Sequence, residues 1–287
     1  MNKMSRHPQK VNNSAYETAL RFVGSHYENF PVVTFLIPAK LRKHVAIIYW
    51  FARTADDMAD EGIMSVEERL KHLTDFEVSF NQLLNGEYSS DYEKALHQTI
   101  QERNLNPQHF TNLLQAFRQD ITKNEYSDFD ELLHYCAYSA NPIGRLILEL
   151  HSVRNEEANL YSDKICSALQ ITNFLQDVAV DYRKGRIYLP QDEMKEYGID
   201  KSMFAESKIN LNFKRLIVFN INRTQLMFDE GRNLLKFLSG RLKYEIKWTI
   251  LGGEAILKKI RRNDYNVFVR PGLTKADFLN LLVRSLK

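Results

Sequence analysis

The chain has 287 residues, of which 44% are hydrophobic and 26% charged, as in globular proteins with a sizeable core. A net charge of only +3 argues against nucleic-acid binding. Short apolar runs exclude a membrane-spanning helix, and the start of the chain has no signal-peptide pattern. Because its two cysteines also lack metal-ligand spacing, we expect a reduced, cytoplasmic protein.

Helical periodicity dominates the chain, since only 11 glycines and 7 prolines interrupt it. Ser14 and Glu17 form a capping-box pattern that predicts the start of the first helix. Apolar residues spaced by three and four predict further helices over residues 45–60, 70–84, 106–117, 132–150, 161–181, 213–238 and 244–260. Strand-like alternation is essentially missing. We therefore predict a single all-α domain over residues 1–287, with about the first 12 residues disordered.

Two aspartate pairs with a spacing of four lie on predicted helices. Asp56 and Asp60 form the first pair, and Asp177 and Asp181 form the second. Because residues i and i+4 lie above one another on a helix, each helix presents two carboxylates beside apolar surface. Unpaired carboxylates are costly to bury, so a cation is expected to meet them. The natural candidate is Mg²⁺, which binds one or two carboxylates together with substrate phosphate oxygens.

Other polar residues extend both pairs. Asp57 adjoins the first pair and Arg53 lies one turn before it, while Asn173 lies one turn before Asp177. Carboxylates that hold a metal and arginines that clamp phosphate oxygens suit a metal–diphosphate site. For either pair alone, an exposed acidic helix end is the simpler interpretation. Two pairs in apolar surroundings favour the metal site, which the fold would assemble across a bundle interior.

The segments around both pairs resemble motifs of the squalene/phytoene synthase family. Residues 49–61 are similar to its first aspartate-rich motif, residues 135–144 to its central helix, and residues 173–190 to its second aspartate-rich motif. The similarity extends from about residue 16 to residue 270. This resemblance implies an all-α isoprenoid synthase bundle with a central cavity, prenyl diphosphate substrates and Mg²⁺.

The resemblance also implies roles for individual residues. The metal ligands would be Asp56, Asp60, Asn173, Asp177 and Asp181, with Asp57 beside them. Arg53 and Arg270 would contact the diphosphate. Tyr135 would lie near the reacting carbons, or would be a core tyrosine whose hydroxyl bonds to a neighbour.

Three weaker candidates lie outside the aspartate pairs. By the same resemblance, His26 would line the diphosphate site; the alternative is a buried histidine with satisfied hydrogen bonds. Arg186 and Tyr188 follow the second pair, where they would contact phosphate or only brace the loop.

The chain departs from common family patterns in a way that resembles the bacterial hopanoid-pathway branch. Gln176 stands where many members have arginine, Asn141 alters the central helix, and Gly253 replaces a common tyrosine. This branch implies conversion of presqualene diphosphate and water to hydroxysqualene and diphosphate, without a nicotinamide cofactor. The lost positive charge should weaken binding of a second diphosphate. As hypotheses, Gln176, Asn141 or Asn29 would position the water and Glu28 would accept its proton.

Two alternatives stay open at this point. The first is head-to-head condensation of two farnesyl diphosphates to presqualene diphosphate, dehydrosqualene or squalene. The second is a non-catalytic relative that acts as an assembly or binding factor, which the retained aspartates oppose. Such a factor would neither need Mg²⁺ nor release diphosphate.

The basic run at residues 258–262 has two interpretations. The simpler one is a solvated helix end that complements the helix dipole. The other is transient contact with the inner face of a membrane, since a C30 substrate is strongly apolar. Functional coupling to neighbouring pathway enzymes would be a further expectation.

Overall fold

The computed structural model describes residues 14–25, 37–60 and 64–285. The expected disorder of the first residues and the roles of His26, Glu28 and Asn29 fall outside this part, and so does the Asp60 side chain. The described residues contain helices and no strand, with one isolated bridge between Glu125 and Ile187. The predicted all-α class is confirmed.

Fourteen α-helices and one 3₁₀-helix follow one another along the described part of the chain. They are α1 (Ser14–Ser25), α2 (Ala39–Asp60), α3 (Val66–Leu84), α4 (Asp91–Arg103), α5 (Gln108–Thr122), α6 (Phe129–Ser139), α7 (Asn141–Leu150), α8 (Glu156–Gln176), α9 (Val178–Arg183), α10 (Gln191–Glu196), α11 (Ser202–Ala205), α12 (Leu211–Gly231), a 3₁₀-helix (Arg232–Lys236), α13 (Gly240–Arg262) and α14 (Lys275–Ser285). Among the described helices, none is long and apolar enough to cross a membrane.

Three helices that the sequence predicts as continuous are interrupted. The 132–150 helix breaks at Ala140, and the new helix α7 begins at Asn141 with Pro142 in its first turn, because proline cannot donate a helical hydrogen bond. The 161–181 helix breaks at Asp177, whose backbone (φ −108°, ψ 15°) leaves the helical region. The 213–238 helix tightens to 3₁₀ geometry from Arg232. Apolar spacing continues across each break and therefore does not reveal it.

Two large clusters of buried apolar side chains hold the helices together. One is built around α8, α12 and α13 and includes Phe174 and Phe228. The other is built around α2 to α5 and includes Phe51 and Phe110. Ile147 of α7 packs against both clusters. The two aspartate motifs therefore belong to different clusters, with α2 in one and α8 in the other.

Helix α7 approaches α8 closely at Gly144. A Cβ atom there would lie 2.5 Å from the Sγ of Cys166 and 2.5 Å from the Oγ of Ser162. Distances this short are not tolerated between heavy atoms, so only glycine permits this approach. A similar contact at Gly253 of α13 leaves 2.5 Å between an added Cβ and the ring of Phe228, which excludes the common family tyrosine unless Phe228 moves.

Candidate active site

The first aspartate motif occupies the last turns of α2. Phe51, Ala55 and Ala59 are buried on the core side of this helix, so the polar residues between them face outward. Arg53 Nη1 lies 3.0 Å from Asp56 Oδ2, and Arg53 Nη2 lies 2.6 Å from Asp57 Oδ1. All three side chains are partly exposed, so a hydrated cation or a phosphate can reach them.

The second motif continues through the helix break. Asn173 is exposed near the end of α8, and its carbonyl accepts the Asp177 N–H at 2.9 Å. The Asp177 carbonyl in turn accepts the Asp181 N–H at 2.8 Å. These bonds keep the spacing of one turn, so the three side chains still follow one another although α8 ends at Gln176.

Arg270 reaches the second motif from a loop 93 positions away. Its Nη2 lies 3.2 Å from Asp177 Oδ2, and its Nε donates to the other carboxylate oxygen. The hydrogen bond to Asp177, followed by the charges of Asp177 and Asp181, raises the pKa of Arg270. The structure therefore places Arg270, which the resemblance assigns to the diphosphate, beside Asp177; the assignment itself stays a prediction.

Gln176 fastens the same loop to the end of α8. Its Nε2 donates to the Pro271 carbonyl at 2.6 Å. One amide N–H therefore braces the segment that carries Arg270. Its role in water positioning stays a hypothesis, and the geometry favours bracing.

A narrow cavity of about 10 Å³, room for about one water molecule, lies beside the second motif. Asp181, Arg186 and Tyr188 are polar members of its wall, and Phe174 and Leu175 are among the apolar ones. Charged and apolar side chains thus meet at this cavity, but a phosphate head with a hydrocarbon tail would need a far larger space than it offers in the described structure.

Tyr135 lies behind this wall rather than in it. Its side chain is 3% exposed, and its ring centroid is 6.1 Å from Phe174 and 6.2 Å from Tyr188. Tyr188 stacks on Phe174 with centroids 3.8 Å apart and planes 7° from parallel. Burial, followed by the nearby charge of Asp120, raises the pKa of Tyr135, so its phenol stays neutral and cannot act as a base near pH 7.

Asp120 is a site residue that the sequence reasoning missed. The charge of its carboxylate acts on Tyr135, and its backbone carbonyl accepts a hydrogen bond from Arg186 at 3.2 Å. Asp120 thereby links the aromatic wall to the pocket's arginine. No local signal points to it, because Arg186 is 66 positions away and Asp120 belongs to no motif.

Asn141 belongs to a different part of the fold. Its side chain is buried, and its Oδ1 accepts a hydrogen bond from the Ser167 hydroxyl at 2.9 Å. It lines a second pocket together with Leu133 and Met227. The structure does not bring it to the pocket that contains Asp181, so a water-positioning role there has no geometric support.

The donor set fits Mg²⁺ held jointly with a substrate. Within the described residues, no three Asp, Glu, His or Cys side chains are close enough to share one ion. Each motif nevertheless offers partly exposed carboxylate oxygens, which are hard ligands. Because Mg²⁺ is commonly bound by one or two carboxylates plus phosphate oxygens, a diphosphate could supply the remaining ligands.

Comparison with known proteins gives consistent matches over most of the chain. The family model described as squalene/phytoene synthase matches residues 23–277. The chain is 33% identical over 239 residues to a hydroxysqualene synthase of Rhodopseudomonas palustris, which covers 83% of this chain and 80% of the relative. A hydroxysqualene synthase of Zymomonas mobilis is 42% identical over 181 residues, which cover 61% of this chain and 59% of the relative.

Solved structures match as well. The crystal structure of a squalene synthase from Alicyclobacillus acidocaldarius has 36% identity and a TM-score of 0.84, over 88% of this chain and 95% of that one. A dehydrosqualene synthase in complex with a ligand has 20% identity and a TM-score of 0.82 over 96% of both chains, and it shares the fold.

Proposed function

This chain belongs to the squalene/phytoene synthase family, and on that premise we propose that it converts presqualene diphosphate and water to hydroxysqualene and diphosphate. It is an enzyme of the isoprenoid synthase kind, which sets aside the non-catalytic alternative. The family acts on prenyl diphosphates. The relatives named hydroxysqualene synthase support the hydration reaction for this chain.

The observation that carries the proposal is the neutral side chain at the end of α8. Gln176 adds no positive charge, and its amide is engaged by the Pro271 carbonyl. Arg270 supplies a guanidinium that pairs with Asp177 of this motif. A site without a positive charge at residue 176 suits a reaction whose substrate carries one diphosphate better than a reaction that must bind two diphosphates.

The carboxylates and arginines would divide the binding of the head group between them. When bound, Mg²⁺ would neutralise the negative charge that develops on the departing diphosphate. Asp56, Asp57, Asp177 and Asp181, together with Asp60 and Asn173 as the resemblance implies, would hold the metal. Arg53 and Arg270 would then exchange their carboxylate partners for phosphate oxygens.

The aromatic wall would protect the cation formed when diphosphate leaves. Phe174 and Tyr188 present stacked rings at the pocket, and Tyr135 backs them with a neutral phenol. Aromatic faces stabilise positive charge and exclude water. Water would therefore have to enter at a defined place, which limits premature quenching.

A second candidate is condensation of farnesyl diphosphate, since the similar protein from Alicyclobacillus acidocaldarius is named a squalene synthase. Purified protein with Mg²⁺ and no nicotinamide should be offered presqualene diphosphate and farnesyl diphosphate separately. Hydroxysqualene from the first substrate only would support the proposal. Consumption of farnesyl diphosphate would instead favour the condensation reaction. No turnover of either substrate would refute both candidate functions.

A further inference from the structure

The second pocket, which Asn141 lines, is an open cleft of about 610 Å³. Lys164 of α8 lies in its wall, nine residues before Asn173. Nine residues are about two and a half helical turns, so the two side chains project from opposite sides of α8, about 14 Å apart along its axis. The pocket is therefore separate from the aspartate motifs. Its volume is within the range of about 300–1,000 Å³ that is usual for small-molecule sites.

Apolar side chains from three helices form much of the second pocket. Leu133 belongs to α6, Leu160 and Tyr161 to α8, and Met227 to α12. Leu160 is 62% exposed and Met227 is 7% exposed, so apolar surface continues from the solvent to the interior of the pocket. A single exposed leucine is ordinary. At the edge of a concave apolar site, it would be covered by a ligand that has a hydrocarbon chain.

The charged side chains that line the second pocket are paired within the protein. Lys164 Nζ lies 3.0 Å from Glu230 Oε2, and Asp163 Oδ2 lies 2.6 Å from Arg145 Nη2. A phosphate group would have to break the Lys164 pair to obtain a cation here. Because phosphate oxygens are bound most strongly by charged donors, this lining favours a neutral ligand.

A polar pair lies among the apolar side chains of the second pocket. The Ser167 hydroxyl donates to Asn141 Oδ1 at 2.9 Å, and the two residues are 4% and 8% exposed. Asn141 Nδ2 forms no hydrogen bond to any other described residue. A nearly buried amide group that lacks a partner costs free energy, so a ligand oxygen that accepts its N–H would be stabilised.

We propose that the second pocket binds a neutral prenyl alcohol. Its hydroxyl oxygen accepts a hydrogen bond from Asn141 Nδ2, and its chain lies against Leu133, Leu160 and Met227. A prenyl diphosphate finds no unpaired cation in this lining, so the pocket distinguishes an alcohol product from a diphosphate substrate. That the alcohol is the enzyme's own hydroxylated product rests on the proposed function. The binding itself does not require turnover.

The test is binding of radiolabelled farnesol, a neutral prenyl alcohol, with Mg²⁺ and a non-hydrolysable farnesyl diphosphate analogue present to fill the aspartate site. Farnesol should still bind. Asn141→Ala should weaken farnesol binding by about three- to tenfold and should leave binding of the matching C15 hydrocarbon unchanged, because only the hydroxyl loses its partner. Leu160→Ser should weaken binding of both ligands, because it removes apolar surface.

A photoreactive farnesol that carries a diazirine locates the bound molecule. It should crosslink within residues 160–167 or 227–233, as mass spectrometry of the peptides would show. Matched control variants lie elsewhere: Asn81→Ala removes an exposed asparagine of α3, and Leu211→Ser removes a leucine of α12 that is 64% exposed. Both should bind farnesol like the wild type, and thermal melts should verify that every variant is folded.

Four results would overturn the proposal. They are displacement of farnesol by the diphosphate analogue, crosslinks confined to the helices of the aspartate motifs, equal losses of farnesol and hydrocarbon binding in Asn141→Ala, and a wild-type dimer that Leu160→Ser dissociates. The last would instead indicate an interface between copies. Farnesol binding in the pocket of a protein that does not hydrate presqualene diphosphate would overturn the proposed function alone.

Discussion

Asp177 lies where the backbone leaves the helix, and its carboxylate pairs with Arg270. If this carboxylate holds Mg²⁺ against a diphosphate, Asp177→Asn should lower kcat/KM by about 100-fold or more and raise the Mg²⁺ concentration needed for half-maximal rate. Steady-state kinetics across a Mg²⁺ titration measures both effects. Asp75→Asn, an exposed acid on α3, is the control. An unchanged Mg²⁺ dependence in Asp177→Asn would contradict the assignment.

Variants of Gln176 and Asn141 can distinguish a role in bracing the loop of Arg270 from a role in positioning water. Because Gln176 holds the loop of Arg270, Gln176→Leu should raise KM for the diphosphate substrate several-fold and leave the share of hydroxylated product unchanged. Asn141→Ala should leave that share unchanged too, since Asn141 contacts Ser167 in another pocket. Product analysis by mass spectrometry distinguishes the two roles. A selective loss of hydroxylated product in either variant would restore the water-positioning hypothesis.

At the scale of the elements, the contact between α7 and α8 depends on the absence of a side chain at Gly144. Gly144→Ala places a Cβ 2.5 Å from both Cys166 Sγ and Ser162 Oγ, so we expect a loss of about 1–3 kcal/mol in the free energy of unfolding. Urea denaturation measures it. Gly252→Ala on α13 is the matched control, because nothing lies within 4 Å of its added Cβ.

The control should behave oppositely to the test variant. Alanine has a higher helix propensity than glycine, so Gly252→Ala should stabilise the protein by about 1 kcal/mol. If both variants shifted the free energy of unfolding in the same direction by similar amounts, the close approach of α7 to α8 would not explain the effect of a side chain at residue 144.

At the scale of the whole molecule, buried titratable groups couple stability to pH. Glu245 is 4% exposed, its Oε2 has no hydrogen-bond partner within the described structure, and burial raises its pKa from 4.5 to about 7. Between these two pH values the folded state keeps a proton that the unfolded state has released. The retained proton of Glu245 contributes to the free energy of unfolding, and this contribution is complete below pH 4.5 and is lost as the pH rises through 7.

Glu245→Gln removes this titration. The variant should match the wild type near pH 4.5 and should be more stable at pH 8 by up to about 3 kcal/mol, as urea denaturation at both pH values would measure. The comparison must be between variants, because His44 acts in the opposite sense. Burial, followed by the charge of Arg103, lowers the His44 pKa to about 4, so its contribution makes stability rise with pH up to 6.5. A stability difference that does not change with pH would contradict the role of Glu245, and Glu67→Gln on the exposed face of α3 is the control.

Local spacing determined the helical class and the carboxylate pairs. The period of apolar residues and the scarcity of glycine and proline suffice for helices, because a helix is stabilised by contacts within one or two turns. The positions of Arg53, Asp56 and Asp57 on α2 follow from the same rule. The motif residues also sufficed to recognise the family, which the match over residues 23–277 confirms.

Packing alone decided which distant residues meet. Arg270 reaches Asp177 from 93 positions away, and Arg186 reaches Asp120 across 66. Lys259 likewise meets Asp277 of α14, and Arg261 meets Asn222 of α12, only because of how α13 lies against its neighbours. Spacing in a sequence specifies only what lies within a turn of the same helix, whereas the energy of side-chain packing selects how helices cross and therefore which remote groups come into contact.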